Sequence, residues 1–135
     1  ISSGLKAIKA AKKVSGKTKL IGVTILTSLD NKSLKEIGFD KNVKKIVLNQ
    51  AKLAAKARLD AIVCSPQEIK IVKKVFKKEI ITPGIRLVGD SKGDQKRTMS
   101  PKQALRYGAT ALVMGRSLTN GNIKQNIQKL IKELG

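Results

Sequence analysis

Apolar positions along the chain follow two spacings in alternation. In residues 3–14, "SGLKAIKAAKKV", Leu5, Ile8, Ala11 and Val14 recur near helical spacing behind Ser3, a residue suited to cap a helix. Residues 19–28, "KLIGVTILTS", are instead a short β-branched run that is apolar almost throughout, the pattern of a strand covered on both faces. The same alternation continues. A helix is predicted over 43–58, with Asp40 and Asn42 as candidate caps, and a strand over 60–65, "DAIVCS". Pro66 suits the first turn of the next helix, "PQEIKIVKKVF". A third strand, 79–85, is cut off by Pro83 and Gly84. In "SPKQALRYG", Ser100 can cap, Pro101 takes the first turn and Gly108 stops the helix. A fourth strand, 109–117, and a closing amphipathic helix, 122–134, complete the chain.

One helix followed by four strand–helix units implies an α/β fold with parallel strands joined by right-handed crossovers. An open doubly wound sheet and a part of a (β/α)8 barrel both satisfy this order. In either, ligands bind at the carboxyl ends of the strands, so the loops after Ser28, Ser65, Ile85 and Ser117 are expected to form the functional face.

Composition narrows the possibilities. At 135 residues the chain is one domain or part of one, and 41% hydrophobic content with 2% aromatics means a core of Ile, Val, Leu and Ala. The lone Cys64 excludes an internal disulfide and suits a reducing compartment; a cytoplasmic location is expected, with no membrane span. A charge of +20, from 29 Lys and Arg against 9 Asp and Glu, raises nucleic acid as a partner. The lysines, however, are spread over nearly every polar helix face without aromatic residues to stack bases, which argues against that role. With no histidine in the chain, histidine-based metal sites and a Cys–His pair are impossible, so Cys64 reads as a packed thiol. The chain opens on Ile1, not an initiator methionine, and a fragment is expected.

Two strand ends carry anion-binding chemistry. After the third strand, "PGIRLVGDSKGDQKR" combines the backbone freedom of Gly84, Gly89 and Gly93 with donors on Arg86, Gln95, Lys96 and Arg97. After the fourth, "MGRS" offers the Gly115 and Arg116 amides and a planar guanidinium able to grip two phosphate oxygens. Loops after the last two strands form the recurrent phosphate site of the barrel.

The ordered set "GVTILTS", "CSPQE", "PGIR…GDQKR" and "LVMGRSLT" resembles the orotidine 5′-phosphate decarboxylase family, over the whole chain. The resemblance implies the carboxyl-terminal half of a (β/α)8 TIM barrel, residues 1–135 running from helix 4 through strand 8 and helix 8. It implies binding of orotidine 5′-monophosphate or UMP without a cofactor: Arg86, Gln95 and Arg116 at the phosphate, assisted by the Gly115 and Arg116 amides, and Thr27 at the pyrimidine ring. Leu87 stands where relatives commonly carry proline, a departure expected to loosen the loop without removing a donor. The family's catalytic Asp-x-Lys-x-x-Asp run, whose lysine protonates C6 as carbon dioxide leaves, is absent. "DNKSLK" (Asp30 to Lys35) ends in the wrong residue after the wrong strand, "DSKGD" (Asp90 to Asp94) is too short, and Asp60 begins a strand, at the opposite face.

No catalytic residue is therefore expected in this chain. A half-barrel would leave two bare edges and an inner face lined by Val23, Ile25, Ile62, Val63, Val113 and Met114, inviting a missing amino-terminal half or a second copy. The functional readings left open are the binding half of a pyrimidine-biosynthetic decarboxylase, a non-catalytic nucleotide-binding remnant of a split or decaying gene and, last, a basic nucleic-acid-binding domain.

Overall fold

The computed structural model describes residues 1–90 and 97–135. Along the chain run α1 (Gly4–Val14), β1 (Ile21–Val23), α2 (Asn31–Glu36), α3 (Val43–Lys56), β2 (Ala61–Val63), α4 (Ile69–Val75), β3 (Glu79–Thr82), α5 (Pro101–Tyr107), β4 (Ala111–Leu112), α6 (Arg116–Thr119) and α7 (Ile123–Leu134). The four strands form one parallel sheet in the order β1-β2-β3-β4. A doubly wound sheet reverses its strand order partway, so the unbroken sequential order selects the barrel wall of the two architectures the alternation allows.

Local signals explain most element ends. Asn42 accepts the Lys45 amide and Ser100 the Gln103 amide, as N-caps do. Gly108, at φ +110°, ends α5 in the left-handed conformation that an L side chain resists. Ser3 makes no cap bond. The residues Pro66 to Glu68 form a turn, and α4 begins three residues later than expected, at Ile69. The helices α2 and α6 were not anticipated, both being short and lacking the long apolar repeat that marks the others. Asp30 is the cap of α2: its carboxylate accepts the amide and the hydroxyl of Ser33 at 2.8 and 2.9 Å. That employment answers the resemblance of "DNKSLK" to a catalytic run.

Right-handed crossovers between sequential parallel strands put the connecting helices on one face of the sheet. Gly22, Ile62 and Ile80, which share one side in the strand register, face that helical layer, and Ile62 and Ile80 are fully buried there with Val47, Ile69, Val72 and Phe76. At Gly22 the layer approaches so closely that an added Cβ would stand 2.6 Å from a Leu59 methyl and 2.9 Å from the Ile1 side chain. The other face is bare. Val23 and Val113 lie on it, 46% and 50% exposed, with Val63 half-buried beside them. Ile62 and Met114 do not line this face, because neighbouring strand residues point to opposite sides, and both pack with the helical core, whereas Ile25 touches that core and also lines a cavity with Val23 and Val63. The helix α7 repeats the pattern. It lies against α5 and α6, buries none of its residues, and leaves Ile123, Ile127, Ile131 and Leu134 in an exposed stripe.

Asp60, just ahead of β2, ties down the end of the sheet opposite the carboxyl ends of the strands. It accepts hydrogen bonds from Lys12 of α1 and from the Leu20 amide, with Lys78 at 3.5 Å. The Lys12 hydrogen bond, then the Leu20 amide, hold its carboxyl down at about 2, against partial desolvation. A depressed carboxylate stabilises the fold above its unfolded value, near 4, and that contribution disappears as pH falls through about 2. In thermal melts, Asp60→Asn is expected to melt below wild type by a constant interval above about pH 5, an interval that closes between about pH 4 and 2. An interval independent of pH would contradict this assignment.

Candidate functional site

The chain leaves β3 through Pro83 and Gly84, and Gly84 takes φ +77°, a conformation that suits glycine at a sharp turn. Ile85, fully buried, then bridges to Met99 in parallel pairing. The Arg86 amide donates to the Met99 carbonyl at 3.1 Å and the Met99 amide to that of Gly84 at 3.3 Å, so the two stems of the loop brace each other. Leu87 is 5% exposed, and the Asp90 amide turns back onto its carbonyl at 3.1 Å. The Arg86 guanidinium donates to the Ile85 carbonyl at 2.9 Å and is half-buried at the strand end.

β4 pairs with β3 so that Leu112 stands opposite Thr82. Arg116 is four residues beyond Leu112, and Arg86 four beyond Thr82. Each arginine thus follows the carboxyl end of one of two neighbouring strands, Arg86 in the loop after β3 and Arg116 at the start of α6. Gly115 precedes α6, its carbonyl accepting the Leu118 and Thr119 amides, and Arg116 opens that helix as an exposed side chain. Gln95, the remaining phosphate residue expected from the sequence, lies outside the described residues, as do Gly93 and Lys96.

Thr27 sits in the turn after β1, where the Leu29 amide closes onto the Leu26 carbonyl at 3.0 Å. It is buried and lines a cavity of about 230 Å³ with Val23, Ile25, Val63, Cys64 and Pro83, at the carboxyl ends of β1, β2 and β3. The bare sheet face and the expected pyrimidine contact thus share one concavity. Cys64 in its wall is 1% exposed, and its thiol is pushed up to about 12, first by burial and then by the negative charge of Glu68, with Arg97 opposing. It is a protonated packing group, not a nucleophile. Among the described residues no cluster of three or more His, Cys, Asp or Glu could hold a metal ion, and no helix is long and apolar enough to cross a membrane.

Arg97 departs from its expected place among the phosphate donors. Its side chain is 7% exposed and its Nη1 donates to Glu68 Oε2 at 2.6 Å, Glu68 itself being 2% exposed. Nη2 donates to the carbonyls of Leu26 and Ile25, at 2.8 and 3.2 Å. Glu68 went unnoticed in the sequence as a functional residue. Its one signal was being the sole acid between residues 61 and 78, among five lysines, at a strand-to-helix junction.

With this geometry in place, comparison with known proteins gives a consistent answer. The sequence model of the "Orotidine 5'-phosphate decarboxylase / HUMPS family" matches residues 1–129. An orotidine 5′-phosphate decarboxylase from Wolbachia of Brugia malayi is 46% identical over 135 residues, covering 97% of this chain and 60% of that protein. One from Coxiella burnetii is 51% identical over 102 residues, covering 74% of this chain and 43% of the relative. Among solved structures, the Lactobacillus acidophilus orotidine 5′-phosphate decarboxylase superposes with a TM-score of 0.77 at 29% identity, over 99% of this chain and 60% of its own. The Methanocaldococcus jannaschii orotidine 5′-monophosphate decarboxylase, solved with the inhibitor BMP, gives 0.67 at 22% identity over 98% and 57%, a likeness of fold. The chain thus spans about three-fifths or less of the relatives it matches. The match along residues 1–129 and the agreement of the parallel sheet with these solved structures place the chain in the orotidine 5′-phosphate decarboxylase / HUMPS family.

Proposed function

We propose that this chain is the binding half of an orotidine 5′-monophosphate decarboxylase, equivalent to helix 4 through helix 8 of the barrel. The observation that carries this reading is the pairing of β3 with β4, whose carboxyl ends lead into the loop carrying Arg86 and the turn carrying Arg116. Two guanidinium groups at that rim suit a phosphate dianion, Arg116 being the group able to grip two of its oxygens. Gln95, carried over from the family motif, and the Gly115 and Arg116 amides complete the phosphate contacts. Thr27 is assigned to the pyrimidine, the ring lying over the concavity bounded by Val23 and Val63.

The reaction breaks the bond between C6 and the carboxylate, leaves its electron pair on C6, and delivers a proton there from a lysine held between aspartates. That lysine is assigned to the portion of the barrel outside this chain. Phosphate binding in this half would then supply energy that orders the reacting centre, raising the rate as well as the affinity. The bare face of Val23 and Val113 and the exposed stripe of α7 support an amino-terminal half as the covering partner, in preference to a free-standing nucleotide-binding remnant.

Three outcomes follow. Calorimetric titration with UMP is expected to give about 30- to 100-fold weaker binding for Arg116→Ala, the worth of one charged hydrogen-bonded contact of about 2–3 kcal/mol; unchanged affinity would remove Arg116 from the site. The chain alone is expected to leave the orotate absorbance of orotidine monophosphate unchanged, and turnover to begin on adding an amino-terminal half that carries Asp-x-Lys-x-x-Asp; turnover without it would overturn the placement of the lysine. In sedimentation the chain by itself is expected to run heavier than its 14.6 kDa monomer, and a stable, non-aggregating monomer would count against an uncovered face.

A further inference from the structure

Arg97 is more deeply buried than any role in gripping a solvent-borne phosphate allows, and its donors point inward. Nη1 meets Glu68 at the lead-in to α4, while Nη2 is shared between the carbonyls of Ile25 and Leu26, directly before Thr27. Its own carbonyl lies 3.5 Å from the hydroxyl of Ser65 at the end of β2. Two residues on, Met99 braces Gly84 and Arg86. One side chain thus joins the turn after β1, the junction after β2 and the returning stem of the loop after β3.

We propose that Arg97 is a positioning residue: its buried fork sets the turn carrying Thr27 against the stem carrying Arg86, fixing the distance between the pyrimidine and phosphate ends of the site. The claim rests on the assignment of those two ends made above. The physical case is one of geometry rather than stability. A buried ion pair contributes little net stability, since desolvation offsets the attraction, but it specifies register wherever its partners belong to different elements. Here Glu68 neutralises the charge, which lets the second arm of the guanidinium donate to main-chain carbonyls. Lysine could keep the ion pair but, as a point donor on a flexible stem, could not span Glu68 and both carbonyls at once.

The test uses the full chain with Arg97→Lys and Glu68→Gln, followed by amide hydrogen exchange. In both variants the Leu29 amide, bonded to Leu26, and the Arg86 and Met99 amides are expected to exchange about tenfold faster, while Ile62 and Ile80 in the sheet keep wild-type protection. Unchanged exchange at Leu29, or acceleration of the sheet amides by the same factor, would overturn the proposal. A second arm measures UMP binding in a cycle of Thr27→Ala with Arg97→Lys. If Arg97 positions Thr27, the loss caused by Thr27→Ala shrinks by about fivefold in the Arg97→Lys background. Losses that simply multiply would reduce Arg97 to a structural part. Failure of UMP to bind the wild-type chain would instead remove the assignment of the phosphate and pyrimidine ends, and the exchange comparison would still decide whether Arg97 joins the two loops.

Discussion

The fold depends on one constraint: four parallel strands pair in the order in which they are made, and every crossover turns the same way. That order gathers the helices on one side, concentrates the core around Ile62 and Ile80, and sends all the strand-end loops to one rim. The Thr27 turn, the Glu68 junction, the Arg86 loop and the Arg116 turn are far apart in sequence, yet become neighbours because register carries each strand end to a similar level. The same constraint leaves a face uncovered. In a closed barrel that face would be the interior, and in this chain it bears Val23, Val63 and Val113.

Charge is distributed with a related asymmetry. Lys12 and Lys13, Lys56, Lys73 and Lys74, and Lys132 sit in the last turns of their helices, where a cation meets the negative end of the helix dipole, and among the described residues no helix carries an acid in its first turn. These six lysines therefore sit at the carboxyl ends of their helices. Asp60 is paired with Lys12, and Glu79 with Lys19. On the rim side Arg86 and Arg116 follow the ends of β3 and β4, while Arg97 is committed to Glu68.

Strands and long helices were legible because their signals are local. Asn42, Ser100 and Gly108 act where their chemistry placed them, and the β-branched runs all formed strands, though shorter than the runs themselves. β1 stops at Val23 although the run continues to Ser28, because beyond Thr24, which still bonds Val63 through both amide and hydroxyl, the chain turns off toward the rim. What was not legible depends on tertiary pairing. Alternation alone could not say which of Ile62 and Val63 faces the helices, and a basic loop does not reveal which of its arginines turns inward. Arg86 and Arg97 look alike in sequence, and only the position of Glu68, 29 residues before Arg97, separates them.

Burial of Cys64 has a practical side. A thiol 1% exposed and held protonated far above neutrality is closed to maleimides and iodoacetamide while the chain stays folded. The protein therefore arrives with a silent background for labelling. A cysteine introduced at an exposed point such as Val88 would take a fluorophore or spin label selectively, and reaction at Cys64 would itself report that the barrel wall had opened.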